Sequence, residues 1–213
     1  MPETRPRGFL ITLEGGEGSG KSTLAAALVC ALDERGYTVC PTREPGGTLL
    51  GRAIEQLFQQ PDAGITPIPL AELLLFEADR AQHVSEIIDP ALAAGDIVVC
   101  DRYTDSTLAY QGFGRGLDLS FLRTLNEAAS GGLEPDLTIL LDLPPEVGLA
   151  RAPAQTDATG RQPLAFHARV REGFLQLARE EPGRFVIIDA TLPFDEVTKM
   201  ASAAIARLLE PSA

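Results

Sequence analysis

The sequence predicts an α/β fold, with a five-stranded parallel sheet and helices on both of its faces. Two observations predict it. Short apolar runs alternate with helical patterns along the whole chain, and strands that are joined through helices run parallel. The first apolar run also leads through a glycine-rich loop, residues 15–22, directly into the first helical pattern. Because 213 residues can form one sizeable core, we expect a single domain over residues 1–213.

The elements can be placed in order along the chain. We expect strands at residues 8–14, 37–40, 97–101, 137–143 and 185–189. We expect helices at residues 20–36, 49–60, 70–94, about 118–130, 166–180 and 194–209, with a short helix that begins at Pro144 and holds Arg151. Gly36 should end the first helix, and Pro90 should interrupt the long one. Residues 102–116 form a polar segment with three glycines, and residues 152–163 are expected to form a loop.

Composition excludes several classes of partner. The net charge is −12 at pH 7, and a nucleic-acid partner is not expected because phosphate-backbone binding relies on a basic face. No apolar run approaches ~18 residues and the N-terminus has no apolar signal core, so we expect a soluble, cytoplasmic protein with no membrane partner. Cys30, Cys40 and Cys100 lie in apolar segments without metal-ligand spacing, and we interpret them as reduced core residues.

The glycine-rich loop carries the most specific signal. Its sequence fits the phosphate-loop pattern of Gly, four residues and Gly-Lys-Ser/Thr, and it lies between a strand and a helix. The glycines let backbone N–H groups turn towards a polyphosphate, and Lys21 supplies a charge for the β- and γ-phosphates of ATP. Ser22 is placed to ligate Mg²⁺. The predicted ATP-binding residues here are Gly15, Gly16, Glu17, Gly18, Ser19, Gly20, Lys21, Ser22 and Thr23. A glycine-rich turn with a chance lysine is the alternative, and the agreement of spacing, strand and helix disfavours it.

A second motif is Asp101-Arg102-Tyr103 at the end of an apolar strand. Phosphoryl transfer depends mostly on positioning and charge stabilisation. Asp101 is suited to hold the Mg²⁺ water shell or to orient the acceptor, and Arg102 to bind an acceptor phosphate with two N–H groups. The alternative is a structural ion pair, which is less favoured beside a phosphate loop.

A third feature pairs Phe76 with Arg80, four residues apart on one helical face. A planar base could stack on the ring while the guanidinium meets a carbonyl on the edge of the base. For this helix in isolation, a core Phe and a solvated Arg would be the favoured interpretation. Glu14 and Glu44 flank the expected site, and each could either contact the Mg²⁺ shell or hold neighbouring side chains.

Together these segments resemble bacterial thymidylate kinases of the type with no basic residue inside the phosphate loop. The segments are Leu13-Glu14-Gly15, Gly20-Lys21-Ser22, 42–48, Leu74-Leu75-Phe76, 79–84, 101–112 and Asp189-Ala190-Thr191, and they span nearly the whole chain in order. The resemblance implies a P-loop nucleoside-monophosphate-kinase fold with a lid. It also implies a homodimer that transfers the γ-phosphoryl group of Mg·ATP to dTMP, giving dTDP for dTTP synthesis.

The resemblance also implies roles for individual residues. Arg43 and Arg102 would bind the phosphate of dTMP, and Glu17 would accept from the deoxyribose 3′-hydroxyl. Phe76 would stack on thymine and Arg80 would donate to its carbonyl edge. The base and sugar would be walled by Ser106, Thr107, Tyr110 and Gln111. The implied catalytic residues are Lys21, Asp101, Arg102 and Arg161, and the implied metal-binding residues are Ser22 and Asp101.

The chain departs from the family in the expected lid, at about residues 152–163. Relatives of this type usually carry Asp-Arg there, but Ala158 follows Asp157. Arg161 is the remaining candidate for stabilising transition-state charge, and Arg151 more resembles the arginine that stacks on adenine. His83 and His167 are interpreted as structural.

Two other functions remain open. A deoxynucleoside kinase would need a base beside a neutral hydroxyl and would have less use for Arg43 and Arg102. A nucleotide-binding switch with weak turnover, or a kinase of another nucleotide, is the other alternative, and the altered lid is the support for the switch.

Overall fold

The computed structural model describes residues 7–59, 67–152 and 162–210. Its centre is a five-stranded sheet in the order β2-β3-β1-β4-β5, with every neighbouring pair of strands parallel. The strands are β1 Leu10–Gly15, β2 Val39–Arg43, β3 Ile97–Asp101, β4 Leu137–Asp142 and β5 Phe185–Asp189. All six residues of the central strand β1 are buried, as expected for a parallel strand covered on both faces.

Helices connect these strands across the described part of the chain. The α-helices are α1 Lys21–Glu34, α2 Leu49–Gln59, α3 Pro69–His83, α4 Asp89–Ala94, α5 Thr104–Thr107, α6 Leu119–Ser130, α7 Pro145–Arg151, α8 Leu164–Glu180 and α9 Phe194–Leu209. Two π-helical segments, Val84–Ile88 and Leu108–Gly114, continue α3 and α5. The predicted fold class, a parallel five-stranded sheet with helices on both faces, is confirmed.

The two faces of the sheet bury separate apolar clusters, because neighbouring strand residues point to opposite faces. On one face, Ile11 and Leu13 of β1 pack in a cluster with leucines of α1 and with Val197 of α9. On the other, Leu140 of β4 packs in a cluster with α3, α6 and α8, in which Phe174 is 1% exposed. A fully buried leucine contributes roughly 2 kcal/mol, so these two layers hold the helices on the sheet.

The long helical stretch at 70–94 differs from the prediction in detail. Pro90 does not interrupt it, because the chain stays helical from Pro69 to Ala94. The irregularity lies before the proline, where the N–H of Asp89 donates to the carbonyl of Val84, five residues back. The wider turn accommodates a ring that has no N–H to donate. Gly95 ends the stretch in a left-handed conformation, φ 86°, as expected.

The polar segment at 102–116 is mostly helical, which the sequence pattern did not indicate. Two of its three glycines are required by close packing, whereas the third, Gly116, has a left-handed φ of 81°. A Cβ on Gly112 would lie 2.5 Å from Cδ2 of Leu119, and a Cβ on Gly114 would lie 2.6 Å from the ring of Phe166. The helix therefore packs against α6 and α8 at distances that only glycine allows.

Two smaller predictions are also corrected. The second strand extends to Arg43 and does not end at residue 40, because it pairs with β3 as far as Asp101. Cys100 is buried, but Cys30 is exposed. It is not a core residue because the buried stripe of α1 runs through Leu24, Leu28 and Leu32. None of the helices in the described residues is long and apolar enough to cross a membrane.

The register of the sheet brings the expected site together. Asp101 of β3 lies opposite Leu13 of β1 on one side and opposite Arg43 of β2 on the other. The phosphate loop follows β1, so the loop, the Asp101 carboxylate and the β2–α2 connection all lie at the carboxyl edge of the sheet. Ligands of open α/β sheets bind at this edge.

Candidate active site

The phosphate loop is held open by its glycines and packed against α7. Gly15, Gly18 and Gly20 have φ values of 142°, 65° and 93°, which side chains other than glycine rarely adopt. A Cβ on Gly18 would lie 2.1 Å from the carbonyl oxygen of Gly148. Glycine at this position is therefore required for the loop to approach α7, the helix that ends in Arg151.

Lys21 lies inside the loop. Its Nζ donates to the carbonyl oxygens of Gly15 and Gly16 at 2.9 Å and 2.8 Å, and lies 3.3 Å from Oγ of Ser19. Burial and the positive charge of Arg102 lower the pKa of Lys21 to about 8. The ammonium therefore remains mostly charged at neutral pH. Its hydrogen bonds to two backbone carbonyl oxygens fix its position inside the loop.

Ser22 and Asp101 meet next to the loop. Oγ of Ser22 donates to Oδ2 of Asp101 at 2.6 Å. The other carboxylate oxygen, Oδ1, is buried and has no hydrogen-bond partner among the described residues. Mg²⁺ prefers hydroxyl and carboxylate oxygens as ligands, so these two side chains fit the predicted metal site. The described residues hold no cluster of three or more acidic, histidine or cysteine side chains that could bind a metal ion.

Glu17, in the phosphate loop, faces the motif that follows β3. Nη2 of Arg102 and the hydroxyl of Tyr110 both donate to its Oε1, at 2.9 Å and 2.8 Å. The guanidinium also lies 5.0 Å from the centre of the Tyr110 ring. Burial alone would raise the pKa of Glu17, but Arg102, Lys21 and the Tyr110 hydroxyl outweigh it and lower the pKa to about 2. Both of these hydrogen bonds are to Oε1, and Oε2 of Glu17 accepts none within the described ranges, so one acceptor oxygen remains available.

Glu14 fixes the chain after β3. It is 0% exposed and accepts from the backbone N–H of Tyr103 and Ser106, at 2.8 Å and 3.2 Å, and from the Ser106 hydroxyl at 2.6 Å. Burial and the nearby negative charge of Asp105 raise the pKa of Glu14 to about 7. Of the two sequence interpretations, the geometry supports the one in which Glu14 holds neighbouring groups. Glu44 does the same, because it is buried between Arg80 and His83.

Arg80 is more deeply engaged than the sequence indicates. The residue is 2% exposed, and its Nη1 donates to Glu77, Thr107 and Asn126 while its Nε donates to Glu44. Nη2 contacts only Glu44 in the described chain, at 2.9 Å. The alternative of a solvated arginine, which the helix in isolation favoured, is therefore excluded, and Arg80 lines the cavity of the site.

Two further predicted residues meet partners from α2. The ring of Phe76 stacks on Phe58, with centroids 4.8 Å apart and planes inclined by 21°. Arg43 forms two hydrogen bonds with Glu55, of 2.8 Å and 2.6 Å, and its side chain is half exposed. Phe58 and Glu55 were not identified from the sequence, because the contact between α2, α3 and β2 depends on tertiary packing.

A cavity of about 620 Å³ joins these groups. From the phosphate loop, Glu17 to Thr23 line it. The predicted acceptor residues that line it are Arg43, Phe76, Arg80, Arg102, Ser106, Thr107, Tyr110 and Gln111, and Asp101 and Arg151 line it as well. Gly15 and Gly16 lie at the base of the loop and do not line it. Arg161 and most of the predicted lid fall outside the described residues.

Arg151 is held at the cavity by a backbone contact. Its Nη1 donates to the carbonyl oxygen of Ala190, after β5, at 2.9 Å. His83, which contacts Thr42 and Glu44, does not line the cavity, and this placement agrees with a structural role. Sequence reasoning also missed Asn126 and Glu72, which are buried and contact Arg80 and Gln111.

The fold and this site define a phosphotransferase with the P-loop nucleoside-monophosphate-kinase fold. Comparison with known proteins agrees, since the thymidylate kinase family model matches residues 13–201. A thymidylate kinase of Synechococcus sp. is 60% identical over 182 residues, covering 85% of this chain and 86% of its own. One from Solidesulfovibrio magneticus is 51% identical, covering 94% of this chain and all of its own.

A solved structure gives the same result. The crystal structure of thymidylate kinase from Ehrlichia chaffeensis is similar with a TM-score of 0.76 and 34% identity, over 94% of this chain and 99% of that one. The chain belongs to the thymidylate kinase family.

Glu14 and Glu17 should affect stability with opposite dependence on pH. The pKa of Glu14 is about 7 in the folded chain and 4.5 in the unfolded chain. Between these two pH values the folded chain therefore holds a proton that the unfolded chain has lost. Its contribution is therefore present below pH 4.5 and is lost as pH rises through about 7. Replacing Glu14→Gln keeps the shape and removes the titration. Between pH 4.5 and pH 8 the wild type should lose roughly 2–3 kcal/mol of unfolding free energy through Glu14, and the variant should not show this loss. Urea denaturation at each pH measures both values.

Glu17→Gln provides the matched control for that measurement. The pKa of Glu17 is lowered from 4.5 to about 2, so its stabilisation is lost only as pH falls below 4.5. This variant should be offset from the wild type by a constant amount between pH 5 and pH 8. A Glu14→Gln profile parallel to that of the wild type over this range would contradict the assignment of a raised pKa.

Proposed function

We propose that this chain transfers the γ-phosphoryl group of ATP to dTMP, giving dTDP and ADP. The observation that carries the proposal is the position of Arg102. It donates to Glu17 of the phosphate loop and lines the same cavity as Phe76 and Arg80. One arginine thus joins the donor side of the cavity to the acceptor side. This is the arrangement that transfer between two bound nucleotides needs.

The donor triphosphate would lie on the phosphate loop. The N–H groups of the loop and of the start of α1 bind its oxygens, and Nζ of Lys21 lies among them to neutralise the β- and γ-phosphates. Arg151, which donates to the carbonyl of Ala190, would stack on adenine. Ser22 and Asp101 would hold Mg²⁺, which when bound neutralises charge on the phosphates.

The acceptor would lie on the other side of Arg102. Arg102 and Arg43 bind the phosphate of dTMP, and Oε2 of Glu17 accepts from the 3′-hydroxyl of the sugar. Phe76 stacks on the base with Arg80 at its carbonyl edge. The base and sugar are enclosed by Ser106, Thr107, Tyr110 and Gln111, which line the cavity. Because the attacking phosphate oxygen is already anionic, the site needs no general base, and its side chains act by position and charge.

The activation free energy of the transfer would be lowered mainly by positive charge next to the transferred group. Lys21 and Arg102 supply two such charges. Arg161, in the proposed lid at about 152–163, would supply the third on closure. We also propose that the protein is cytoplasmic, since its three cysteines are free thiols, as in a reducing compartment.

An assay of ADP release across acceptors tests the proposed reaction. With Mg·ATP, the value of kcat/KM should be highest for dTMP among dTMP, dUMP, dCMP, dAMP, dGMP and thymidine. Thymidine lacks the phosphate that Arg43 and Arg102 bind, so it should be a poor acceptor. A preference for thymidine would favour a nucleoside kinase, and ATP binding without turnover on any acceptor would favour a nucleotide-binding switch.

Arg161→Ala tests the lid assignment. If Arg161 contacts the transferred group, kcat should fall by about 10²- to 10³-fold while the Kd for ATP changes little. Arg207→Ala, which removes an exposed arginine of α9, serves as the matched control and should leave both values unchanged. An unchanged kcat in Arg161→Ala would show that another group supplies this charge.

We propose that the chain forms a homodimer through α2, α3 and α6. These neighbouring helices expose large apolar side chains, namely Leu49, Leu50, Leu57, Leu70, Leu74 and Phe121. Leu49 alone is 79% exposed, and clustered apolar surface of this kind is typical of interfaces.

Leu74→Asp should therefore convert the dimer to a monomer, because it places a charge in the apolar contact. Light scattering coupled to size-exclusion chromatography measures the mass directly. Met200→Asp changes a similarly exposed residue of α9, on another part of the surface, and should remain dimeric. A wild-type protein that elutes as a monomer would contradict the proposal.

A further inference from the structure

Glu72 of α3 is a buried carboxylate outside the ion pairs that Arg102 and Arg80 form with Glu17 and Glu44. It is 6% exposed, and its Oε1 accepts from Nε2 of Gln111 at 3.0 Å. Its other contacts are with Arg115, whose Nε and Nη2 lie 3.3 Å from Oε1 and 3.0 Å from Oε2. Glu72 thus connects a charged residue behind the cavity wall to an amide that lines the cavity.

The hydrogen bond between Gln111 and Glu72 determines which end of the Gln111 amide can contact a ligand in the cavity. An ionised carboxylate accepts hydrogen bonds and cannot donate them, so only the NH₂ group of Gln111 can face it. Arg115 keeps Glu72 in an ion pair and fixes its orientation. Oε1 of Gln111 has no partner within the described ranges, and the residue itself lines the cavity. The amide therefore presents an acceptor to whatever binds there.

We propose that Glu72 is a positioning residue for base selection, which holds Gln111 with its carbonyl oxygen towards the base. This inference rests on the proposed function, in which Gln111 walls the base of the acceptor. An acceptor at this place favours a base edge that carries an N–H. Thymine and uracil have such a group at N3, whereas N3 of cytosine is itself an acceptor. The chain thereby selects the imide edge of a pyrimidine through a residue that does not touch the substrate.

The substitution Glu72→Gln should invert this preference. The guanidinium of Arg115 has only donors, and its shorter contact is from Nη2 to Oε2 of Glu72, 3.0 Å against 3.3 Å from Nε to Oε1. The carbonyl oxygen of the new amide should therefore take the position of Oε2. The NH₂ group of that amide then faces Gln111 and attracts its Oε1. Gln111 consequently turns its own NH₂ group to the cavity, where it can donate to N3 of cytosine and opposes N3–H of thymine.

The test is the ratio of kcat/KM values for dTMP, dUMP and dCMP. In Glu72→Gln the ratio of dTMP to dCMP should fall by ~10-fold or more, the effect of one mismatched hydrogen bond in a buried site. The ratio of dTMP to dUMP should stay constant, because both bases carry N3–H. Arg115→Lys keeps a cation beside Glu72 and is the matched control, with both ratios unchanged.

A double variant gives a second route to the same result. Glu72→Leu with Arg115→Leu replaces a buried ion pair by apolar side chains, a change that proteins often tolerate. The Gln111 amide is then free to rotate, and the ratio of dTMP to dCMP should fall here as well. This variant answers the question if Glu72→Gln does not fold.

Gln111→Ala separates failure of this inference from failure of the proposed base site. If Gln111→Ala lowers the ratio of dTMP to dCMP and the Glu72 variants do not, the role of Glu72 is overturned and the base site stands. If Gln111→Ala leaves the ratio unchanged, Gln111 does not contact the base and both assignments are overturned. An equal fall in kcat/KM for all three acceptors in Glu72→Gln would indicate a merely structural role, which also overturns the inference.

Discussion

The buried carboxylate of Glu14 is the interaction on which the site depends. It lies one residue before the end of the central strand and accepts from two backbone N–H groups, those of Tyr103 and Ser106, in the chain that follows β3. Between them and β3 the chain must turn sharply, and Arg102 adopts the left-handed φ of 72° that non-glycine residues rarely have. This turn aims the Arg102 side chain back at Glu17. The backbone strain at Arg102, of order 1–3 kcal/mol, is held by the hydrogen bonds to Glu14.

A second buried carboxylate holds the same segment on the sheet from the other side. Asp105 of α5 is 1% exposed and forms two hydrogen bonds with Arg184, of 2.7 Å and 3.0 Å, beside Thr138 of β4. Breaking a buried pair of this kind leaves an uncompensated charge, which typically costs 3–5 kcal/mol. The continuous helix at 104–114, formed by α5 and the π-helical segment after it, is short enough to be marginal in isolation. Its position, and with it that of Ser106 and Thr107, is therefore set by Glu14 and Asp105.

Much of the fold could be predicted from the sequence, because strands, helices and the phosphate loop are local patterns. β3, β5 and α9 have the expected bounds, and Gly95 ends its helix as its residue type indicates. The helix at 104–114 was missed because its glycines serve packing against α6 and α8, which no local pattern reveals. The site was predictable where a motif lies in one segment. The site was not predictable where a residue contacts a partner from a distant segment, as Asn126 does when it accepts a hydrogen bond from Arg80.

An acidic chain can still bind an anionic substrate where arginines are held in fixed positions. At this site each arginine is held by a carboxylate partner. Arg43 contacts Glu55 of α2, and Arg80 contacts Glu44 of the β2–α2 connection. Arg102 contacts Glu17 of the phosphate loop. Carboxylate partners fix each guanidinium and leave other N–H groups available, since arginine has five donors in a planar fork. At long range a net charge of −12 repels polyanions such as nucleic acids. At short range the oriented N–H groups of the cavity would act on a small phosphate, so under the proposed function the binding of a mononucleotide depends on where the charges lie and not on the net charge.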